Sequence, residues 1–561
     1  MGVPRFFLWL YKKYKSEQFI IKNKIDGIDS LLIDANCLLH PQCFKILSEN
    51  KNLKDKVELE RKMINQCCEY LKYLIEYTNP SKEIYIAIDG VAPIAKIKQQ
   101  RQRRFKSAKD KQLYDNLKKK HNKDISVHWN NSAITPGTEF MEKLTLKVTE
   151  LCRNIKGVKV YFSTAYTPSE GEHKLLQHIR NCNNNYKYAI YGLDADLIFL
   201  ALSTFKENIY LLREEQELNS EGDKTDQERL NFVSIDILSE CIFNEIRYSL
   251  CSYELNRDLN KENIIRDFVF ICYFLGNDFL PHIPSIDISC FGKDNINGLD
   301  LLIQAYGNTF DNLEDYIISK DENGDIIYNN IFLQMFLDYL ASFEEDFMTN
   351  LYNSKRYYKK CDSEDTYDQE IFKIENLQFK IDDDIELGKD SSDEYKFRYY
   401  KKYYFTEINQ QEEVKDACFK YIEGLFWVAR YYFDKCPSYE WYYNYDHAPF
   451  ISDLADNFKR FNLENIKFNL GNNLRPIEQL MTVLPKQSDY LVPDNVRWLM
   501  NELKSPLIHL YPTDFEIDLL YKKKYWQGIP YLPQIDVSLI RKTLKDYKEN
   551  YKFKDNVLEF N

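Results

Sequence analysis

The sequence predicts an α/β protein in which a mostly parallel central sheet is flanked by helices and a second, mixed and mainly helical region packs on that sheet. Short apolar runs alternate with helical periods through the first half of the chain, as in parallel sheets. The hydrophobic content of 44% is that of a globular protein. A chain of 561 residues is too long for one hydrophobic core, so we expect two or three domains.

The first half of the chain contains predicted strands and helices in alternation. Strands are predicted over 28–34, 84–88, 158–163, 188–192 and 208–213. Helices are predicted over 57–77, from Pro93 to about 121, from Phe140 onwards and after His173. Within 57–77, the apolar residues Cys67, Leu71, Leu74 and Ile75 share one side, as in a helix packed on a core. This order predicts parallel strands joined by helical crossovers.

The second half of the chain is less regular. The apolar run 264–280 is long enough to favour a helix over a strand, and residues 300–350 are predicted to be helical. Residues 362–394 hold thirteen acidic residues and three lysines, which indicates a surface insertion. An amphipathic, aromatic-rich helix is predicted over 413–434, whereas 435–545 shows few clear periods.

Charge and cysteine usage exclude several classes of protein. The net charge is −12, so a nucleic-acid partner requires a local basic site, and residues 96–123 supply one with twelve Lys or Arg and two acids. Thirteen scattered cysteines without a CxxC pair argue against zinc and for a reducing compartment. No signal peptide and no apolar run of 18 residues are present. We expect no membrane association and a cytoplasmic location, with nuclear or virus-associated locations left open.

Seven acidic residues each follow a predicted strand or end an apolar run. They are Asp34, Asp89, Glu170, Glu172, Asp194, Asp196 and Asp278. In an open parallel sheet, the carboxyl ends of the strands face one crevice, where ligands bind. Carboxylates gathered there repel one another unless cations neutralise them. An all-oxygen donor set favours Mg²⁺ or Mn²⁺.

Each of these acids also has a purely structural interpretation. Glu172 lies three residues after Ser169, which is the spacing of a capping box. The Asp-x-Asp at 194–196 is common in turns, and Asp34 and Asp89 suit helix caps. Together the acids favour the metal interpretation, because five separate elements bring them to the same edge.

The basic helix that follows Asp89 presents one polar face. Lys96, Gln100, Arg103 and Arg104 recur at i, i+4, i+7 and i+8, and these donors suit a phosphate group. The alternative is a solvated basic helix after an ordinary strand. His40 is either a core histidine or an aromatic platform for a nucleobase.

Ordered sequence blocks extend this picture over nearly the whole chain. In the first half they are Met1–Pro4, Ile33–His40, Asp89–Arg104, Ile134–Thr138, Ser169–His173, Gly192–Asp196 and Asp267–His282. In the second half they are Tyr421–Leu425, Tyr439–Tyr443, His447–Pro449, Pro476–Met481, Tyr511–Glu516 and Trp526–Gly528. In these blocks the chain resembles the XRN family of 5′-to-3′ exoribonucleases.

The resemblance implies a domain organisation. Residues 1–350 would form the nuclease core, which is related to flap-endonuclease (PIN-like) domains. Residues 351–410 would be an acidic insertion or linker. Residues 411–561 would form the second conserved region, which wraps the core and closes its cleft into a pocket.

The resemblance also assigns roles to the residues singled out above. The seven acids would be the catalytic residues and the ligands of two Mg²⁺ ions, for which Mn²⁺ substitutes. Lys96, Gln100, Arg103 and Arg104 would bind a 5′-monophosphate. His40 would stack on the first base, with Tyr439 or Trp441 on its other side; the family usually has tryptophan at both positions. Two further departures are Glu139, in place of a small residue or proline, and Ile94, in place of a basic residue.

The function implied by the resemblance is processive, two-metal hydrolysis of single-stranded RNA from a 5′-monophosphate end to 5′-mononucleotides. We expect a monomer, whose protein partners the sequence does not identify. Two alternatives remain: a structure-specific DNA flap or 5′ nuclease, and a catalytically idle RNA-binding scaffold. The second region and the Lys96–Arg104 pattern disfavour the first alternative, and the complete set of acids disfavours the second.

Overall fold

The computed structural model describes residues 6–124, 129–182, 184–214, 230–250, 259–288, 297–322, 324–353, 360–404, 410–463, 466–549 and 556–561. The block Met1–Pro4 lies outside the described residues.

An eight-stranded sheet forms the centre of the first half. Its strands are β1 (Ile20–Ile21), β2 (Ser30–Asp34), β3 (Glu83–Ala87), β4 (Lys159–Ser163), β5 (Tyr188–Tyr191), β6 (Ile209–Glu214), β7 (Leu230–Ser234) and, near the end of the chain, β12 (Leu558–Phe560). The order is β1-β7-β6-β5-β2-β3-β4-β12. The five central strands are parallel, whereas β1, β7 and β12 pair antiparallel. The predicted mostly parallel α/β sheet is confirmed.

The three outer strands of this sheet, β1, β7 and β12, were not predicted from the sequence. β1 and β12 are only two and three residues long, too short to show the period of a strand. Two small hairpins complete the β structure. They are β8 (Ile318–Lys320) with β9 (Ile326–Tyr328), and β10 (Ile517–Asp518) with β11 (Ile529–Pro530).

Helices cover both faces of the sheet and build most of the second half. In the first half they are α1 (Phe6–Tyr14), α2 (Ala35–Glu49), α3 (Lys56–Thr78), α4 (Ile94–Lys120), α5 (Glu139–Asn154), α6 (Gly171–Asn181), α7 (Asp196–Leu202), α8 (Ile235–Ser249) and α9 (Lys261–Ile271). They continue as α10 (Gly298–Leu313), α11 (Asn330–Ala341), α12 (Glu344–Asn353), α13 (Thr366–Glu375), α14 (Ser392–Tyr404), α15 (Gln410–Phe433), α16 (Ile451–Phe458), α17 (Pro476–Val483), α18 (Asp494–Asn501) and α19 (Val537–Thr543). Within the described ranges, no helix has the length and apolar character needed to cross a membrane.

Helix α4 joins the two halves of the protein. Its apolar residues Ile97 and Phe105 are buried in one cluster with residues from 474–544. The guanidinium of Arg101 donates to the carbonyls of Thr482 and Leu510, so this arginine is structural. The side of α4 formed by Ile97, Arg101 and Phe105 is therefore fixed in the second region.

The acidic segment 362–394 lies at the surface but is not an unstructured linker. It contains α13 and the start of α14. Glu370 lies 2.8 Å from Lys120 Nζ and 2.7 Å from His121 Nε2, and Asp365 lies 2.6 Å from Lys123 Nζ. The segment thus docks on the far end of α4, and opposite charges hold it there.

Candidate active site

The carboxyl ends of β2 and β3 carry the first two acids. Asp34 is the last residue of β2, and Asp89 follows β3 by two residues. Asn36 links them: its Nδ2 donates to Asp89 Oδ2 (2.8 Å), and its backbone N–H donates to Asp34 Oδ1 (3.2 Å). Asp34 is also the N-terminal cap of α2, so the prediction that it serves as a helix cap is confirmed. Because β2 and β3 pair in parallel, both acids point to the same edge.

Glu170 and Glu172 reach this edge from the start of α6. Ser169 and the 90–91 backbone exchange two hydrogen bonds of 2.9 Å, which fixes the loop beside Asp89. Gly171 N–H donates to Asp89 Oδ1 (2.6 Å), and a Cβ at this glycine would lie 2.7 Å from Asp34 Oδ1. The N-terminal cap residue of α6 is Glu170, not Ser169. The capping-box interpretation of Glu172 is therefore wrong. Its buried side chain is close enough to Glu170, Asp194 and Asp196 to feel their charges, and we call the seven predicted acids together the acidic cluster.

Lys96 lies among the remaining buried acids. Its Nζ forms ion pairs with Glu170 Oε1 and, at 2.8 Å, with Asp278 Oδ2. Burial alone would raise the pKa of Asp278, but the Lys96 charge lowers it. The helix was predicted to present Lys96 together with the arginines, and the structure instead places its ammonium within the acidic cluster.

Asp194 and Asp196 occupy different environments. Asp196 begins α7 and is buried, whereas Asp194 lies in the preceding loop and is exposed. The Asp194 charge nevertheless contributes to raising the pKa values of Asp34, Glu172 and Asp196. Asp194 therefore lies at the open side of the same cluster.

Burial and mutual repulsion dominate the electrostatics of the cluster. Burial, followed by the Glu170 charge, raises the pKa of Asp89 to about 6. Burial, followed by the Asp278 charge, raises the pKa of Asp196 to about 7. Burial is also the largest cause that raises the pKa values of Asp34 and Glu172 well above their usual range. Carboxyl groups that are largely shielded from solvent and lie close to one another require nearby positive charge to ionise.

The residues present fit a hard divalent cation. Glu172 Oε2 and Asp196 Oδ1 are buried without a hydrogen-bond partner, and the seven acids offer oxygen atoms as metal ligands. As the side chains stand, no three Asp, Glu, His or Cys residues in the described part of the chain converge on one point. Lys96 Nζ contacts both Glu170 and Asp278, so its ammonium and a cation would compete for these two carboxylates.

The raised pKa values predict an unusual dependence of stability on pH. An acid whose pKa is higher in the folded than in the unfolded state makes the folded protein bind more protons, so stability falls as pH rises. With a chelator present, we expect the unfolding free energy of the wild-type protein, relative to that of Asp196→Asn, to increase by on the order of 2 kcal/mol as pH is lowered from 8 to 5.5. Taking this difference cancels the buried histidines, whose lowered pKa values have the opposite effect on stability. Saturating Mg²⁺ should reduce the dependence on pH. Scanning calorimetry of both proteins measures it, and a difference that increases with pH would contradict the electrostatic description.

A second, basic cluster lies further along α4. Arg103 is exposed, Arg104 is half-buried, and neither forms an ion pair with a described residue. Burial, then the Arg103 charge, lowers the pKa of Arg104 to about 9. Burial, then the charges of both arginines, lowers the pKa of His40 to about 4, so His40 is neutral and lies close to them. Gln100 Oε1 and Arg104 Nη1 are buried without partners. The arrangement suits an anion beside an uncharged aromatic ring.

The two candidate stacking residues differ in how firmly they are held. Trp441 donates from Nε1 to Glu423 (2.8 Å) and stacks on Trp427 with ring centroids 5.4 Å apart. Tyr439 is half-buried, and its carbonyl accepts from Ile94 N–H at the start of α4 (2.9 Å). One face of the Trp441 ring is therefore already covered by another aromatic ring.

The two departures from the family pattern have local explanations. Ile94 is buried in the apolar cluster shared by α4 and residues 474–544, where a charge would be costly. Glu139 is exposed in the first turn of α5 and pairs with Lys143 at 2.8 Å. Neither residue belongs to the acidic or the basic cluster.

Several supporting residues were missed by the sequence reasoning. Tyr431 donates to Glu170 Oε2 (2.9 Å) from helix α15, a contact across 261 positions. Lys174 donates to the carbonyls of Ile88 and Thr164 and so ties together the ends of β3 and β4. Asn36 lies inside the block Ile33–His40, which was the one available signal for it. Tyr431 had no signal beyond its place in an aromatic helix.

Two family models match the chain. The model of the XRN 5′-3′ exonuclease N-terminus matches residues 1–215. The model of the Xrn1 helical domain matches residues 258–378 and 348–555, and so includes the acidic segment. The seven acids and the basic cluster fall within these ranges.

Named relatives show similarity over almost all of the chain. A 5′-3′ exoribonuclease 2 from Candida albicans is 29% identical, with 96% of this chain and 71% of that protein covered. A 5′-3′ exoribonuclease 1 from Homo sapiens is 29% identical, with 96% and 33% covered. A 5′-3′ exoribonuclease 1 from Saccharomyces cerevisiae is 27% identical, with 98% and 43% covered. The chain thus spans most of the first relative but less than half of the other two.

Proposed function

Because the chain belongs to the XRN family of 5′-3′ exonucleases, we propose that it hydrolyses RNA from a 5′-monophosphorylated end and releases 5′-mononucleotides. One observation carries the proposal. Helix α4 places Lys96 in the acidic cluster. Seven and eight residues later the same helix carries Arg103 and Arg104, which form no ion pair with a described residue. Lys96 and the arginine pair are thus separated by about 10–12 Å along the helix axis, so one helix would contact two different phosphate groups.

We propose that the seven acids hold the divalent metal on which the family depends, as two Mg²⁺ ions that Mn²⁺ can replace. When bound, the metal would activate a water and stabilise the leaving 3′-oxygen. Asn36 and Tyr431 orient Asp89 and Glu170, so these carboxylates are preorganised. Lys96 would exchange its contact with Asp278 for an oxygen of the reacting phosphate, because the cations then neutralise the acids.

The basic cluster would recognise the terminal phosphate. Guanidinium groups offer forked donors that match phosphate oxygens, and an arginine pair without a described ion-pair partner keeps these donors available. Gln100 lies one turn earlier on the same face and would add an amide donor. A pocket closed by the second region would exclude capped and triphosphorylated ends by size.

Stacking would retain the strand without reading its sequence. Neutral His40 lies beside the arginines, so its ring suits one face of the terminal base, and Tyr439 or Trp441 would take the other face. Every base offers such a face, so this contact tolerates all four bases. Retention by stacking and phosphate binding would let the strand advance by one nucleotide per cycle, which is processive degradation.

Product analysis on matched substrates tests this function. We expect 5′-mononucleotides from single-stranded RNA with a 5′-monophosphate in the presence of Mg²⁺. The same RNA with a 5′-hydroxyl end should be degraded at least about tenfold more slowly, because the charge-assisted contacts to the phosphate are not formed. RNA with a 5′-triphosphate end should be degraded more slowly as well, because the closed pocket excludes the larger end. Chelator should abolish hydrolysis. Equal or faster degradation of 5′-phosphorylated DNA would favour the DNA nuclease, and binding of RNA without any hydrolysis would favour the scaffold.

A further inference from the structure

We propose that Cys37 is a positioning residue that couples Asp34 to the loop carrying Asp194 and Asp196, and thereby sets the affinity for metal. The proposal rests on the proposed function in taking these three acids as metal ligands. It concerns a residue to which neither the sequence reasoning nor the family resemblance gave a role.

The Cys37 thiol bridges two acid-bearing elements. Cys37 lies in the first turn of α2 and is half-buried. Its Sγ donates to Asp34 Oδ2 at 3.1 Å and accepts from the backbone N–H of Leu193 at 3.3 Å. Leu193 immediately precedes Asp194. One side chain thus contacts the acid that ends β2 and the loop that follows β5.

Asp34 depends on this contact for its orientation. Its Oδ1 accepts from Asn36 N–H, and its Oδ2 accepts from the Cys37 thiol. With both oxygens fixed, the carboxylate cannot rotate freely about its last torsion. Loss of the thiol bond would leave one oxygen without this restraint, at a residue whose two oxygens are needed as metal donors.

The loop between β5 and α7 has few other restraints. Residues 192–195 lie outside regular structure. The Leu193 backbone is held on one side by Cys37 and on the other by Arg213, whose guanidinium donates to its carbonyl. The loop leads directly into Asp196, whose buried Oδ1 has no hydrogen-bond partner. Displacement of this loop would therefore shift two candidate ligands together.

Three substitutions separate positioning from packing. Cys37→Ala removes both hydrogen bonds, Cys37→Val replaces the thiol by a somewhat larger apolar side chain that neither donates nor accepts, and Cys37→Ser keeps a donor and an acceptor. Cys43→Ala is the matched control, because Cys43 lies on the same helix but is buried in the core away from the acids.

Metal binding without RNA is the decisive measurement. Titration calorimetry of the full chain with Mn²⁺ should show binding weakened about three- to tenfold in Cys37→Ala and Cys37→Val, and within about twofold of wild type in Cys37→Ser and Cys43→Ala. The Mg²⁺ concentration for half-maximal hydrolysis should rise in parallel, while the rate at saturating Mg²⁺ changes less than about threefold.

The outcomes distinguish failure of this inference from failure of the proposed function. Wild-type Mn²⁺ affinity in Cys37→Ala and Cys37→Val, or equal weakening in Cys37→Ser, would overturn the positioning role alone. Absence of Mn²⁺ binding by the wild-type protein would overturn the metal assignment and with it this inference.

Discussion

Replacing Asp196 with asparagine is expected to lower hydrolysis by at least about 100-fold while RNA with a 5′-monophosphate still binds. Charge stabilisation by a bound metal is worth several kcal/mol, and about 1.4 kcal/mol corresponds to a factor of ten in rate. Asp196 is 4% exposed, and burial raises its pKa to about 7, so the substitution removes a buried charge with little change in shape. The basic cluster is a separate contact and should keep its affinity for the terminal phosphate.

Asp267 provides a matched control for this experiment. Asp267 is fully buried, and burial is the largest cause that raises its pKa to about 7, as for Asp196. Its carboxylate accepts from Tyr306 OH and from the backbone N–H groups of Ile317 and Ile318, at 2.8 to 2.9 Å. Asp267→Asn should therefore destabilise the fold by about 1–3 kcal/mol without altering the chemical step.

Single-turnover hydrolysis, equilibrium binding and thermal unfolding should be measured on both variants. If Asp267→Asn abolished hydrolysis in the folded protein while Asp196→Asn kept its rate, the assignment of Asp196 to the metal site would fail. The comparison separates a buried acid that serves the fold from one that serves the reaction.

The parallel sheet and the position of the acids were predictable because both depend on local sequence. A buried parallel strand is a short apolar run, and an acid directly after it lies at the carboxyl edge. Asp34, Asp89 and Asp196 were identified in this way, and the structure places Asp34 and Asp89 at the ends of paired parallel strands and Asp196 at the start of α7, after the neighbouring strand β5. The basic face of α4 was equally visible, because its donors repeat with the helical period.

Contacts between distant parts of the chain were not predictable from local patterns. Tyr431 reaches Glu170 from 261 positions away, and Glu370 reaches Lys120 from 250 positions away. The position of Lys96 also depends on tertiary structure, because its ion pair with Asp278 joins α4 to a turn 182 positions later. For Glu172, the capping-box spacing was a misleading local signal, since the backbone turn at Ser169 places the helix start one residue later.

Replacing both Arg103 and Arg104 with alanine is expected to reduce the preference for 5′-monophosphate over 5′-hydroxyl RNA by at least about tenfold. Hydrogen bonds to charged groups contribute about 1.5–3 kcal/mol, and these two guanidinium groups form no ion pair with any described residue. Their charges are also close enough to help lower the pKa of His40 to about 4. The loss should appear mainly as weaker productive binding of the phosphorylated end, because the acids and Lys96 remain in place.

Lys111→Ala is the matched control for the arginine pair, because it removes a positive charge from the exposed side of the same helix. A general electrostatic contribution would lower the affinity for both kinds of RNA end equally and weaken the dependence on salt. The arginine variant should instead change the ratio of kcat/KM between the two ends. Arg104→Lys keeps the charge but loses the forked geometry, so an intermediate ratio is expected. An unchanged ratio in the double alanine variant would place the end-recognition site away from α4. A decrease of kcat/KM confined to RNA with the phosphorylated end would identify these arginines as the groups that distinguish the terminal phosphate from the rest of the strand.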